Sequence, residues 1–318
     1  MITDEQEKAI VSAEIAVKNN PTNFELYIEL GWAYFHAKRH NEAMAAFQRA
    51  VALNPSAAGA FNGIGRVHER LGTAQAALEA YEHAIVLDPH SIVPYVGLGI
   101  IYFDHLFDYE AAIKAFQIGL EHHPEDAFAV ALLGNTYART GRFDEAIFSL
   151  QQAISLQPND TFAYGNLSII YLHRKQYDEM IGSCERDIKI VDGHNARRLL
   201  GIVYDRLDRH KEAIHQLEQS ITLNPQDYEA RGLLAKIFRT VGRQQEADEQ
   251  YAIARDMAEQ DNEYGQACFE AVSGNLDGAL TLLEVALTKK QVQPGWARID
   301  PELSILNDDP RFKALIDD

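Results

Sequence analysis

The chain has 318 residues, a formal net charge of −18, 47% hydrophobic and 24% charged residues, enough apolar content to bury a core. The acidic balance argues against a nucleic-acid or anionic-membrane surface, because phosphate contacts require a basic face. Two distant cysteines, Cys184 and Cys268, cannot build a disulfide framework, a thiolate zinc site or a redox CxxC. No run reaches the roughly 18 apolar residues of a membrane span, and Met1 to Glu5 carry no basic-then-apolar signal. A soluble cytoplasmic protein is the expectation.

In chain order, residues 1–23 read as a single helix, with Ala9, Ala13 and Ala16 on one face before Pro21. From there one phase takes over. Pro21, Pro55, Pro89, Pro124 and Pro158 are 34 or 35 residues apart, and Pro225 follows after two further periods. On the same phase lie Leu30-Gly31, Ile64-Gly65, Leu98-Gly99, Leu133-Gly134 and Leu200-Gly201, then Tyr34, Tyr102, Tyr137, Tyr171 and Tyr204. Ala43, Ala77, Ala112, Ala146, Ala213, Ala247 and Ala279 recur later in each period, and Gly72, Gly141, Gly242 and Gly274 punctuate its middle. Positions 4, 7, 8 and 11 of the period share one helix face, and 20, 24 and 27 share one face of a second helix. Small residues let the two helices approach, the central glycine allows a positive φ at the turn, and the proline stops the second helix. The periods run 24–57, 58–91, 92–126, 127–160, 161–193, 194–227 and 228–261, followed by an eroded one at 262–289.

These residues resemble the tetratricopeptide repeat family, whose 34-residue pattern has an aromatic at 4, Leu-Gly at 7–8, Tyr at 11, Ala at 20 and 27 and Pro at 32. Tyr27, Phe61, Tyr95 and Tyr164 fit position 4, and Phe47, Tyr81, Phe116 and Tyr251 fit position 24. The resemblance implies an all-α, right-handed superhelical solenoid of antiparallel helix pairs over nearly the whole chain, a single array rather than two compact domains. The third period has one extra residue between Phe103 and Tyr109. The fifth is one short and carries Ser168, Met180, Cys184, Asp187 and Asp192 at signature positions, which predicts looser stacking there or simple drift. The tail 290–318, with Trp296, Asp300-Pro301 and Asp309-Pro310, resembles the segment that follows the last repeat in many bacterial members. It is expected to cap the array through Leu303, Leu306, Phe312 and Leu315, a docking peptide being the alternative.

No catalytic residue, cofactor or metal site emerges. Gly63-Ile64-Gly65 and Gly97-Leu98-Gly99 lack the third glycine and the preceding strand of a phosphate loop. His36 and His40 are separated by a turn, and the adjacent His122 and His123 face different sides of a helix.

In this family the first helix of each repeat lines the concave face, and positions 2, 5, 6, 9, 12 and 13 meet the ligand. Those positions carry Arg66, Arg70, Arg139, Arg198, Arg206, Lys236 and Arg239 against Glu25, Glu29, Glu69, Asp104, Asp205 and Glu229, a near-neutral strip in an acidic chain. Apolar groups among them include Trp32, Phe35, Phe103, Phe128 and Phe162, which either face a ligand or complete the packing of the second helices. Asn62, Asn135 and Asn166 are placed to hydrogen-bond a peptide backbone or to be solvated. The candidate groove is therefore Trp32, Asn62, Arg66, Phe103, Phe128, Asn135, Arg139, Phe162, Asn166, Arg198 and Lys236. The carboxylate clamp of chaperone-adaptor members is not expected, since Ala131, Asn195 and Leu199 stand where its cations belong. The expectation is a non-catalytic interaction scaffold binding a protein or peptide with acidic and apolar residues. Rivals are a regulatory or assembly subunit of an enzyme complex, and a scaffold that self-assembles through its array ends.

Overall fold

The computed structural model describes residues 3–317; Met1 and Ile2 of the expected N-terminal helix and Asp318 of the tail lie outside the described residues. The architecture is all-α, with no strand among the described residues. A lone helix, Asp4–Asn19, starts with a reciprocal cap: Gln6 N donates to Thr3 Oγ1 (3.3 Å) and Thr3 N donates to Gln6 Oε1 (3.0 Å). Helix pairs follow at Phe24–His36 and His40–Leu53, Ala58–Arg70 and Ala74–Leu87, Ile92–Ile100 and Tyr109–His122, and Ala127–Arg139 and Phe143–Leu156. They continue at Thr161–His173 and Tyr177–Ile190, His194–Arg206 and His210–Leu223, Tyr228–Thr240 and Gln244–Ala258, and Glu263–Ser273 and Leu276–Thr288. The chain divides into two compact units, Met1–Thr136 and Tyr137–Asp318. The boundary falls inside the helix Ala127–Arg139.

Packing explains the recurring small residues. The Phe47 ring is fully buried, and a Cβ on Gly31 of its own pair or on Gly63 of the next would sit 2.5 or 2.4 Å from it. Tyr81 is clasped in the same manner by Gly65 and Gly97, which would place a Cβ at 2.6 and 2.3 Å. Both Gly-x-Gly strings are therefore ring seats between helices, not phosphate loops. Gly72, Gly141, Gly242 and Gly274 take positive φ at the turn inside their pairs. Lys38, Phe107, Lys175, Asp208 and Lys290 adopt the same left-handed geometry elsewhere, at a cost of about 1–2 kcal/mol each.

The extra residue of the third pair becomes a π-helical turn, Ile101–Leu106, so the closing bond from Asp108 N to Tyr102 O spans six residues. In the first pair the corresponding bond, Arg39 N to Tyr34 O, spans five. The fifth pair keeps its packing despite its departures. Ser168 and Cys184 replace a glycine and an aromatic together, both are buried, and Cys184 Sγ donates to Ser168 Oγ at 3.3 Å. Burial pushes the Cys184 thiol up to about 12, so it is an unreactive packing group.

The tail forms a short turn at Pro294–Ala297, a 3₁₀ turn at Glu302–Leu306 and a helix at Pro310–Asp317. Val292, Ala297, Leu303, Leu306, Phe312 and Ile316 share one buried cluster with Ala267, Ala271, Leu280 and Leu283 of the last helix pair, and Leu315 packs at its edge. At about 1.5–3 kcal/mol per fully buried large side chain, this anchoring makes the tail a fixed part of the second unit.

Candidate peptide-binding groove

In the first unit, the first helices at 58–70, 92–100 and 127–136 frame a cavity of about 450 Å³. Val93, Val96, Ile100, Phe128 and Leu132 supply its apolar surface, with Arg66, Glu69 and Arg70 on one side and Asp104 and Asp126 elsewhere on its wall. Phe128 is 57% exposed and Val93 47%, and both stand on the wall of this one cavity. Asp126 doubles as a helix cap, accepting from Ala129 N at 2.8 Å. Arg66 is committed: its Nη1 donates to both carboxylate oxygens of Glu69 at 3.0 and 2.8 Å. The Tyr81 hydroxyl donates to Glu69 at 3.2 Å, and burial drives that phenol well above its ordinary range. Arg70, one residue on, is exposed.

Other candidates of this unit are placed differently. Trp32 packs edge-on against Phe35 (5.5 Å between ring centroids) and Phe47 (5.3 Å), so it completes the core of the first pair. Asn62 and Asn135 are buried, each with its Oδ1 turned into the packing. Phe103 leans on Tyr109 at 5.4 Å and does not line the cavity. Helical register put Trp32, Asn62 and Asn135 near a core–groove border, and the bulk of the following helix decides the matter toward the core.

In the second unit the candidate cations have partners within the chain. The chain's own tail lies on the first-helix face and meets Arg139 and Arg198, while Lys236 is held by a neighbouring helix. The Arg139 guanidinium stands 3.9 Å from the centroid of the Trp296 ring. Arg198 pairs with Asp227 (2.9 Å), Glu229 (3.6 Å) and the tail's Glu302 (2.8 Å). Lys236 is held by Asp205 at 2.8 Å. Arg206 Nη2 donates to Ser304 Oγ at 3.1 Å, Lys175 Nζ donates to Asp308 at 2.8 Å, and Asn307 Nδ2 lies 3.3 Å from His173 Nδ1. Asn166 donates back to Phe162 O of its own helix at 2.8 Å, while the Phe162 ring is 39% exposed. Trp296, Glu302 and Ser304 were missed as partners of this face because they lie from about 100 to more than 150 residues from the arginines they meet.

The pocket under the tail is rich in carboxylates. Burial raises Glu229 to about 7 against the opposing pull of Arg198, and the Glu302 charge raises it further. Asp300, fully enclosed, is held well above its usual range by burial and by Glu302, and the Tyr264 hydroxyl donates to it. One arginine thus faces three carboxyl groups, those of Asp227, Glu229 and Glu302. Among the described residues no group of three or more His, Cys, Asp or Glu side chains is arranged to hold a metal ion. No helix is long and apolar enough to cross a membrane.

Comparison with known proteins agrees with this architecture. Residues 60–271, two thirds of the chain, match the family described as the cilia and flagella-associated protein 70 C-terminal domain, and residues 24–57 match the tetratricopeptide repeat family. No curated protein matches the sequence. Among solved structures, the Cut9–Hcn1 hetero-tetramer of the APC/C is similar over 73% of this chain at 21% identity with a TM-score of 0.63; the chain spans only 46% of that one. PilW, a type IV pilus biogenesis factor, is similar over 64% of this chain and 94% of its own at 17% identity and a TM-score of 0.59. A tetratricopeptide repeat protein from Parabacteroides merdae covers 79% and 97% at 17% identity and a TM-score of 0.58. At these identities the likeness is one of fold, a fold that serves generally as a protein–protein interaction scaffold. By the repeats it carries and the families it matches, the chain belongs to the tetratricopeptide repeat proteins.

Proposed function

We propose that this protein is a non-catalytic adaptor that binds a peptide segment of a partner on the first-helix face of its first unit. The observation that carries this reading is the apolar cavity of about 450 Å³ with Phe128 and Val93 exposed on its wall. Its size and its wall of apolar and charged side chains suit one or two large side chains of a bound segment. In the second unit the tail itself lies on this face, with Trp296 on Arg139, Glu302 on Arg198 and Ser304 on Arg206.

Selection of peptides from a displayed library against the full chain tests the reading. Selected peptides are expected to lose binding to Phe128→Asp while the helical circular dichroism of that variant is unchanged. Selection of binders indifferent to Phe128→Asp and Val93→Asp would overturn it.

A second reading, self-assembly through the array end, has one observation in its favour. Val11 and Ile15, one helical turn apart on the lone N-terminal helix, are 46% and 54% exposed. Sedimentation at several concentrations decides it: a monomer throughout removes the reading.

A further inference from the structure

The second unit contains a worked example of what this face can hold. The tail places its side chains on the last residues of three successive first helices: Trp296 on Arg139, Asn307 beside His173, and Ser304 on Arg206. Six residues after the indole, Glu302 meets Arg198. The face therefore reads an aromatic ring and a nearby carboxylate with two arginines.

In the first unit, the last residue of the helix Ala58–Arg70 is Arg70, the register equivalent of Arg139 and Arg206. Those two are partly buried under the tail, whereas Arg70 is exposed on the cavity wall. Its neighbour Arg66 is neutralised by Glu69, so Arg70 is the cation this cavity presents. A guanidinium is weakly hydrated and planar, so it stacks on an aromatic face at little desolvation cost. Phe128 and Val96 offer an apolar bed on the same wall, and the charge of Arg70 draws a ligand carboxylate to the arginine side.

We propose that the first-unit cavity binds a partner segment bearing an aromatic residue with a carboxylate close to it, the ring stacked on Arg70 as Trp296 stacks on Arg139. This rests on the reading of the cavity as a peptide site and names the chemistry of its ligand. The partner is a protein segment of the same chemical character as residues 296–302 of this chain.

The test uses the full chain and a fluorescein-labelled synthetic peptide with the sequence of residues 293–308, followed by anisotropy. Saturable binding is expected, weakened about tenfold when the peptide's tryptophan is replaced by alanine and by a similar factor in the Arg70→Ala chain. Combining the two changes is expected to add little, since both remove one contact. Equal affinity of the wild-type and Arg70→Ala chains overturns the proposal. If Val93→Asp still abolishes that binding, the cavity remains a peptide site and only the pairing with Arg70 falls. Binding lost in Arg139→Ala but kept in Arg70→Ala marks exchange with the resident tail and also overturns it. Absence of saturable binding overturns it as well, and the library selection then tests the broader reading separately.

Discussion

The guanidinium of Arg139 lies 3.9 Å from the centroid of the Trp296 ring, joining the last residue of a first helix to a tail residue more than 150 positions away. A partly covered contact of this kind contributes about 1 kcal/mol. A double-mutant cycle with Arg139→Ala and Trp296→Ala, read by urea unfolding, is expected to return a coupling of about that size, and additive losses would show the stacking to be energetically idle. The tryptophan change alone costs more than the arginine change, because it also removes apolar contact at the edge of the last core cluster.

Arg198 offers a larger effect. Its side chain compensates Asp227, which is fully buried, and Glu302, which is nearly so. Arg198→Met leaves those carboxylates unpaired and is expected to destabilise the second unit by about 3–5 kcal/mol. Urea denaturation of the variant beside the wild type measures the loss, and a change below about 1 kcal/mol would show that Arg198 does not carry this compensation.

The wild-type protein has its own pH dependence. Glu229 and Asp187 are raised to about 7 and about 6, in both cases chiefly by burial, from ordinary values near 4. Their folded forms hold protons more tightly than the unfolded chain does, so folding takes up protons. Stability then falls as pH rises from about 4.5 through about 7, by at most about 1.4 kcal/mol per pH unit per group, and levels off above. Glu229→Gln is expected to flatten the upper part of that slope in pH-stepped urea titrations. An unchanged slope would show that Glu229 titrates normally.

Two glycine substitutions of identical chemistry should differ in sign. Gly97→Ala drives a Cβ to 2.3 Å from the fully buried Tyr81 ring and is expected to cost about 1–3 kcal/mol or more. Gly165→Ala, in the interior of the helix Thr161–His173, meets nothing within 4 Å and is expected to stabilise by about 0.5–1 kcal/mol. Thermal unfolding of the two variants beside the wild type reads both effects.

The helical architecture was legible because its determinants are local and periodic. The Leu-Gly pairs seat rings such as Phe47 and Tyr81, and the turn glycines carry a positive φ, both within a few dozen residues. The extra residue before Tyr109 was visible as a count, but its absorption into a π-helical turn depends on hydrogen-bond geometry that spacing does not contain. The groove was less legible. Register could assign Arg139, Arg198 and Lys236 to one face, yet not reveal that Trp296, Glu302 and Asp205 would meet them there. Trp32, Asn62 and Asn135 sit where a shift of a fraction of a helical turn separates solvent from core, and the depth of the neighbouring rings makes that choice.

The placement of Tyr81 between Gly65 of its own helix pair and Gly97 of the next has a consequence for how this protein can be altered. Each such ring belongs to two periods at once, so the natural cutting point is not the turn between them. Excising one 34-residue period at the loops would deliver an aromatic from one seat to a glycine from another, and the splice would hold only where ring and seat agree in size. The Ser168–Cys184 pair is a local exchange of that kind, with a small residue facing a small residue, and periods on either side of it are not interchangeable parts.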